Sequence, residues 1–360
     1  MKTTIKTLLV LTFLFLLTGN ANPAPLVNYF DSGYDKYLRG DLDGAIKDYT
    51  YAIENKPDFA QAYNNRALAK KDKGDLLGAL ADYNMAIKYL PSYAKSYDGR
   101  GVVKYLLRDL DAALADEEMA IKLDPTFFEP IHNRGLLKRD RGNLDGAIAD
   151  FDRVVELKPD FTIAYYNRGF AKQLKGDLKG ALADYAETVR QNTNFTDAYK
   201  NRGYLLYDQH DFTNSLSDFK RACELDATDN FPFFRVWLIR AKFGEIQAAN
   251  EQLQTHLDDS KKVAPSDWTP NIARFLLGQL SEAELLNAAK TTGMSLGNSQ
   301  QCEAFYYMGE KRLISDDNIV AIDFFEKCLA TGHKEYTEYQ SAGVELVALK
   351  AYAAIKAAVK

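Results

Sequence analysis

The sequence predicts an all-α protein: a right-handed superhelical solenoid of helix-turn-helix repeats, closed by a helical C-terminal cap. Three observations predict it. The chain repeats itself every 34 residues over six uninterrupted copies, starting at Leu26, Ala60, Ala94, Phe128, Thr162 and Thr196, and a fixed period of this length marks an array of helix pairs. Small and aromatic residues return at fixed places in every copy. Gly-Asp pairs and prolines punctuate the copies where helices stop and start.

The chain opens with "MKTTIKTLLVLTFLFLLTGNANPAPL". Lys2 and Lys6 precede an apolar run from Leu8 to Leu17, well short of the ~20 residues that cross a bilayer. Small and polar residues follow. This is the layout of a secretory signal peptide, residues 1–21. Cleavage after Ala21 puts Gly19 at the −3 place, whereas cleavage after Ala24 would leave Pro25 next. An uncleaved anchor is the alternative. The processed chain is expected to be exported, periplasmic or secreted, with no integral membrane span. No Cys lies near the cleavage site to carry a lipid.

The six regular copies fill 26–229. Counting each start as position 1, position 8 reads Gly33, Ala67, Gly101, Gly135, Gly169, Gly203, and position 20 reads Ala45, Ala79, Ala113, Ala147, Ala181, Ser215. Small residues at both places let two helices approach closely. Position 4 is Tyr in five copies and Ile131 in the fourth. Position 24 is Tyr49, Tyr83, Glu117, Phe151, Tyr185, Phe219. These aromatic columns read as packing between helices. Gly40-Asp41, Gly74-Asp75 and Gly176-Asp177 suit a helix stop followed by an N-cap. Pro57, Pro91, Pro125 and Pro159 end the second helix at position 32. With these residues in place, the stretch resembles the tetratricopeptide repeat family. That resemblance implies stacked hairpins with a concave inner face.

Beyond the sixth copy the register loosens. Residues 230–258 form a degenerate seventh repeat: Gly244, Ala249 and Leu253 keep their places, but Trp237 stands where a small residue belongs. Residues 259–298 read as an irregular helical connector, with Ser281 and Glu284 at capping-box spacing. Residues 299–335 form an eighth hairpin, with Phe305, Gly309, Ala321 and Phe325 in register, and 336–360 form a capping helix. The segments "DWTPNIARFLLGQLSEAELL", "EAFYYMGEKRLISDDNIVAIDFFEKCL" and "EYQSAGVEL" resemble the C-terminal region of the new-lipoprotein-I family of envelope proteins. That resemblance implies a homodimeric, non-enzymatic adaptor that brings a C-terminal-processing protease to cell-wall hydrolases. The lipid-anchoring Cys of that family has no counterpart here.

No catalytic constellation, cofactor motif or metal-ligand spacing is present. His132, His210, His256 and His333 fall at unrelated repeat positions. The formal charge of −5 argues against a nucleic-acid partner. The expectation is therefore a non-enzyme whose partners are proteins or peptides. A self-assembling structural repeat protein is the alternative. Cys302 and Cys328, at the start and end of the last hairpin, read either as a disulfide or as two small apolar side chains in a core. Cys223 reads as a buried free thiol.

In such a repeat, positions 2, 5, 6, 9 and 12 of the first helix face the groove. The candidate peptide-binding residues are Asn133, Asn167 and Asn201 at position 6, with His132, Tyr166 and Lys200 at position 5 and Phe170 and Tyr204 at position 9. Amides that donate and accept can grip a peptide backbone. The plainer reading is that Asn tolerates a solvated helix face. Lys95 and Lys200 are too far apart in the array for the basic clamp that some repeats use to hold a C-terminal carboxylate.

Position 7 is Arg66, Arg100, Arg134, Arg168 and Arg202, with Ser32 in the first copy; position 23 is Asp48, Asp82, Asp116, Asp150, Asp184 and Asp218. The pairing predicts salt bridges between successive repeats: Asp48–Arg66, Asp82–Arg100, Asp116–Arg134, Asp150–Arg168 and Asp184–Arg202. Pairing within one repeat is the alternative.

Overall fold

A computed structural model describes residues 26–259, 268–290 and 296–358. The signal-peptide reading falls outside them. Nineteen helices and no strands are present among the described residues, and none of these helices is long and apolar enough to cross a membrane. The chain divides into two compact units at the Pro159–Asp160 bond.

The first unit holds four hairpins: α1 (Leu26–Leu38) with α2 (Leu42–Asn55), α3 (Ala60–Lys73) with α4 (Leu76–Tyr89), α5 (Ala94–Leu106) with α6 (Leu110–Leu123), and α7 (Phe128–Asp140) with α8 (Leu144–Leu157). Turn chemistry sets their length. The first helix of a hairpin ends on a residue of positive φ, such as Gly74 at 91°. The next side chain then caps the following helix: Asp75 Oδ1 accepts from the Gly78 N–H at 2.9 Å. Asp41, Asp109 and Asn143 do the same for α2, α6 and α8. Where Arg108 takes the left-handed place, at φ 66°, a side chain stands in a region that favours glycine. Three of these four hairpins bury an aromatic side chain at position 24. Tyr49, Tyr83 and Phe151 are almost fully buried. A Cβ added at Gly135 would lie 2.7 Å from the Phe151 ring, so the small residue sets the approach of α7 to α8.

The second unit continues with α9 (Thr162–Lys175), α10 (Leu178–Gln191), α11 (Thr196–Asp208), α12 (Phe212–Leu225), α13 (Asn230–Lys242) and α14 (Ile246–Asp259). Then come α15 (Thr269–Leu276), α16 (Glu282–Lys290), α17 (Leu296–Ile314), α18 (Asn318–Ala330) and α19 (Thr337–Ala358). Its core differs from that of the regular hairpins. Helix α13 is apolar nearly all round, burying Phe234, Val236, Trp237, Leu238, Ile239 and Ala241. It packs against α15 and α17, and α19 lies on α11, α17 and α18. Trp237, bulky where the earlier hairpins have Gly or Ala, turns its indole N–H to Asn250 Oδ1 at 2.8 Å. Cys302 and Cys328 do meet across the last hairpin, as free thiols with sulfurs 3.3 Å apart. Cys223 is also a buried free thiol.

At the centre of this core lies Arg235, with no solvent exposure. The rings of Tyr204, Tyr207 and Tyr306 surround its guanidinium at 5.0, 4.8 and 4.7 Å. It donates to the Tyr306 hydroxyl and to Ser341 Oγ, and it lies 3.7 Å from the Glu338 carboxylate. Ser341 in turn donates to Asp208 Oδ1 at 2.7 Å. One side chain of α13 thereby ties together α11, α17 and α19.

Candidate functional site

The Arg and Asp columns meet within hairpins, not between them. Arg66 Nη2 lies 2.7 Å from Asp82 Oδ1 and its Nε donates to Oδ2 at 2.8 Å. Arg100 with Asp116, Arg134 with Asp150, Arg168 with Asp184 and Arg202 with Asp218 repeat this two-point geometry. The expected links between successive repeats are therefore corrected. The two positions stand opposite each other across the antiparallel pair, and a bidentate fork is the strong geometry for Arg and carboxylate. Ser32 is no counter-example, because its hydroxyl fills the same slot and donates to Asp48 at 2.6 Å.

A lysine completes the clamp. Lys36, Lys70, Lys104, Lys138 and Lys172 each lie 2.7–2.8 Å from the Asp of their own hairpin. They sit four residues after position 7, one helical turn on, so the column was visible in the sequence at a 34-residue interval. The sixth hairpin has Leu206 there. Its Asp218 is pushed above the usual carboxylate range by burial, against the pull of Arg202. A link between neighbouring hairpins does exist, but through the remaining guanidinium nitrogen: Arg66 Nη1 reaches Thr50 Oγ1 at 3.0 Å, and Arg100 Nη1 reaches Asn84 Oδ1 at 2.7 Å.

The candidate groove residues divide between the two units. In the first, Asn133 Nδ2 donates to Asp98 Oδ1 at 2.9 Å, from one hairpin to the next. His132 is buried against Phe151, with ring centroids 5.6 Å apart. In the second, Asn201 Nδ2 donates to the Tyr166 hydroxyl at 3.2 Å. Lys200 is 2.7 Å from Asp229, and its pKa is raised by that partner against the effect of burial. Asn167 is buried, Phe170 half-buried, and Tyr204 lies in the core beneath Arg235. The amide donors of Asn133 and Asn201 thus join hairpin to hairpin. On the same first helices some apolar side chains stay open to solvent: Tyr34 at 49%, Leu38 at 65% and Leu106 at 50% exposed in the first unit, and Leu174 at 52% in the second.

Burial lowers the pKa of His132 to about 4, opposed by a hydrogen bond with Asn133 and reinforced by the Arg139 charge. An unfolded His titrates near ~6.5. Between these values the unfolded chain takes up a proton that the folded chain refuses. The stability this group contributes is therefore whole above about pH 6.5 and is lost as pH falls towards 4. The expected loss over that window is about 3 kcal/mol. His132→Phe should flatten this acid limb in urea titrations of the first unit at pH 4.5 and 7. Parallel pH profiles for the variant and the parent would contradict the assignment.

Two residues that sequence reading did not single out stand next to Asn133. Glu117 occupies the aromatic column at position 24 and is 1% exposed. Its Oε2 has no hydrogen-bond partner. Burial, then the neighbouring Asp98, raises its pKa well above the usual carboxyl range. Burial lifts Asp98 to about 6, against hydrogen bonds from Asn133 and Glu117. The signal was a single acid in a column otherwise aromatic. Beside this pair a cleft of ≈ 260 Å³ opens between α5 and α7, lined by Val102, Tyr105, Leu106, Glu117, Asn133, Leu136 and Leu137. Among the described residues no cluster of His, Cys, Asp or Glu is arranged to hold a metal ion.

The family described as the TPR repeat matches residues 33–74 and 135–176. No curated protein sequence matches the chain. Among solved structures, PilF of Pseudomonas aeruginosa shares 15% identity and a TM-score of 0.52 over 59% of this chain and 94% of its own. A tetratricopeptide repeat protein of Parabacteroides merdae shares 18% identity and a TM-score of 0.48, covering 71% of this chain and 98% of its own. YrrB, described as a TPR protein with an unusual peptide-binding site, shares 24% identity over 51% of this chain and 95% of its own, with a TM-score of 0.44. The family model thus matches two stretches of the hairpin array, and the helical fold of this chain is one that PilF shares.

Proposed function

We propose that the protein is a non-enzymatic adaptor of the cell envelope that binds an extended segment of a partner protein along its first helices. One observation carries this reading. The first helices leave apolar side chains open to water, among them Tyr34, Leu38 and Leu106 in the first unit and Leu174 in the second. Tyr34 and Leu38 are four residues apart and share one stripe. An apolar stripe flanked by polar groups is what a partner segment covers. The N-terminal signal-like segment supports an exported location. The C-terminal resemblance to the new-lipoprotein-I family supports a homodimer that serves envelope proteolysis or cell-wall hydrolases.

The test is capture of partners from envelope extract by the purified chain, with light scattering to fix its assembly state. Leu38→Asp together with Leu106→Asp should abolish capture while leaving the unfolding midpoint unchanged. Leu77→Asp, at a site 71% exposed on α4, should capture normally. Equal capture by all three proteins would overturn the reading. Open-ended polymers in light scattering would favour a self-assembling structural role instead.

A further inference from the structure

Cys302 on α17 and Cys328 on α18 have no solvent exposure, and their sulfurs lie 3.3 Å apart. That is closer than two sulfurs stand in ordinary packing contact. The third cysteine, Cys223, is buried on α12 as a free thiol. A disulfide asks for Cβ atoms about 3.5–4.5 Å apart, and sulfurs already in contact need only small side-chain rotations to bond. A metal does not account for the pair. Among the described residues no third His, Cys, Asp or Glu joins it as a ligand set.

The same burial decides when such a bond could form. Helix α19 lies over the hairpin: Cys328 Sγ is 3.9 Å from the Glu338 carbonyl oxygen, and a Cβ added at Gly343 would lie 3.9 Å from the Leu329 side chain. Disulfide exchange needs a sulfur that another molecule can approach. Neither cysteine offers that in the folded chain. The order of closure does offer it. Helices α17 and α18 are joined by residues 315–317 alone, so they pair locally. The docking of α19 includes Ser341 donating to Asp208, 133 residues away. Long-range closure costs more chain entropy and comes later. The two thiols therefore meet while their cover is still absent.

We propose that Cys302 and Cys328 are joined as a disulfide during folding, after α17 and α18 pair and before α19 covers them. The chemistry is two successive exchanges with a disulfide carrier, a small molecule or a protein. The thiolate of one cysteine attacks the carrier, forms a mixed disulfide and expels one carrier thiolate. The thiolate of the other cysteine then attacks its neighbour's sulfur in that mixed disulfide and expels the second. The two cysteines give up two electrons, and the carrier, now two thiols, holds those electrons and the two protons. Once α19 docks, reductants are shut out as oxidants are, so the state set during folding persists. An exported chain meets such carriers. The bond fastens α17, which presents Tyr306 to Arg235, to α18, and α19 rests on both. This goes beyond the adaptor reading and stands without it.

The test uses the full chain, reduced and unfolded in urea, then diluted into a buffer of oxidised and reduced glutathione. Its mass should fall by two hydrogens, and peptide mapping should join Cys302 to Cys328 while Cys223 stays a thiol. The reduced chain, folded first and then given the same buffer, should keep all three thiols at least about tenfold longer. The oxidised chain should resist excess reduced glutathione until urea is added. Hydrogen exchange in α17 and α18 should be about a hundredfold slower in the oxidised chain, because the bond closes a loop between residues 26 apart. Cys302→Ala with Cys328→Ala should fold and show one exchange pattern with or without glutathione. A glutathione adduct at either residue in place of the cross-link, or a bond from Cys223 to either, would overturn the proposal. So would equal rates of oxidation in the folded and the unfolded chain, since the sulfurs would then be within reach after α19 docks.

Discussion

Arg235→Met is expected to destabilise the second unit by about 3–5 kcal/mol, the usual cost of removing one partner from a buried ion pair. Met has nearly the volume of the Arg stem, so little of the loss would come from an empty space. The loss would come from what stays behind. Glu338, 2% exposed, would keep its carboxylate without a cation. Three tyrosine rings at 4.7–5.0 Å would lose the charge over their faces. The surroundings make compensation harder. Asp208, Glu310, Glu338 and Glu345 are gathered around only two cations, Arg235 and Lys242. Burial already lifts Asp208 to about 6 and Glu345 to about 7. Native-state hydrogen exchange resolved by unit is the appropriate measurement, because a chain of two units need not unfold in one step. Protection should fall in α11, α13, α17 and α19 and persist in the first unit. Adding Glu338→Gln to Arg235→Met should recover part of the loss. Unchanged protection in Arg235→Met would show that the surrounding rings hold the core without it.

Phe151→Ala should destabilise the first unit by a similar amount, about 3–5 kcal/mol. The ring has no solvent exposure. It lies against Gly135, where there is no side chain to move into the space, and beside His132. A cavity with a backbone on one side cannot collapse by rotamer change, so both the lost transfer energy and the cavity remain. The loss should appear in exchange protection of α7 and α8 and spread to their neighbours, since stacked hairpins lean on one another. A cost below about 1 kcal/mol would mean that α7 and α8 close over the gap.

The two sites differ in how far the sequence revealed them. Phe151 and Gly135 belong to columns that return every 34 residues, so periodicity marked both as packing residues, and the coordinates show that they touch. The Arg–Asp clamp was legible in its members but not in its direction. Position 7 faces both its own hairpin and the preceding one, and only coordinates show which carboxylate it takes. In the first hairpin a short hydroxyl, Ser32, meets Asp48 where the later hairpins use a guanidinium. The Asn column had the opposite fate. Its periodicity was plain, but the same amide geometry serves a peptide or a neighbouring hairpin, and Asn133 and Asn201 use it on neighbouring hairpins. Arg235 could not have been found by pattern at all. Its hydrogen-bond partners lie 71 and 106 residues away, beyond the uninterrupted run of regular copies.

The clamp has a consequence for how such a chain can change its length. Each Asp is neutralised by an Arg and, in the first five hairpins, by a Lys from the same 34-residue block, with Ser in place of Arg in the first. A block copied or deleted whole carries its acid and its bases together. The clamp's own contact outside its block is, for Arg66 and Arg100, a polar group at the Thr50 or Asn84 place of the block before it. Gene duplication within the regular array therefore leaves no buried charge stranded. The segment from Asn230 onward cannot be lengthened in this way, because Arg235 depends on residues far along the chain that no single block contains.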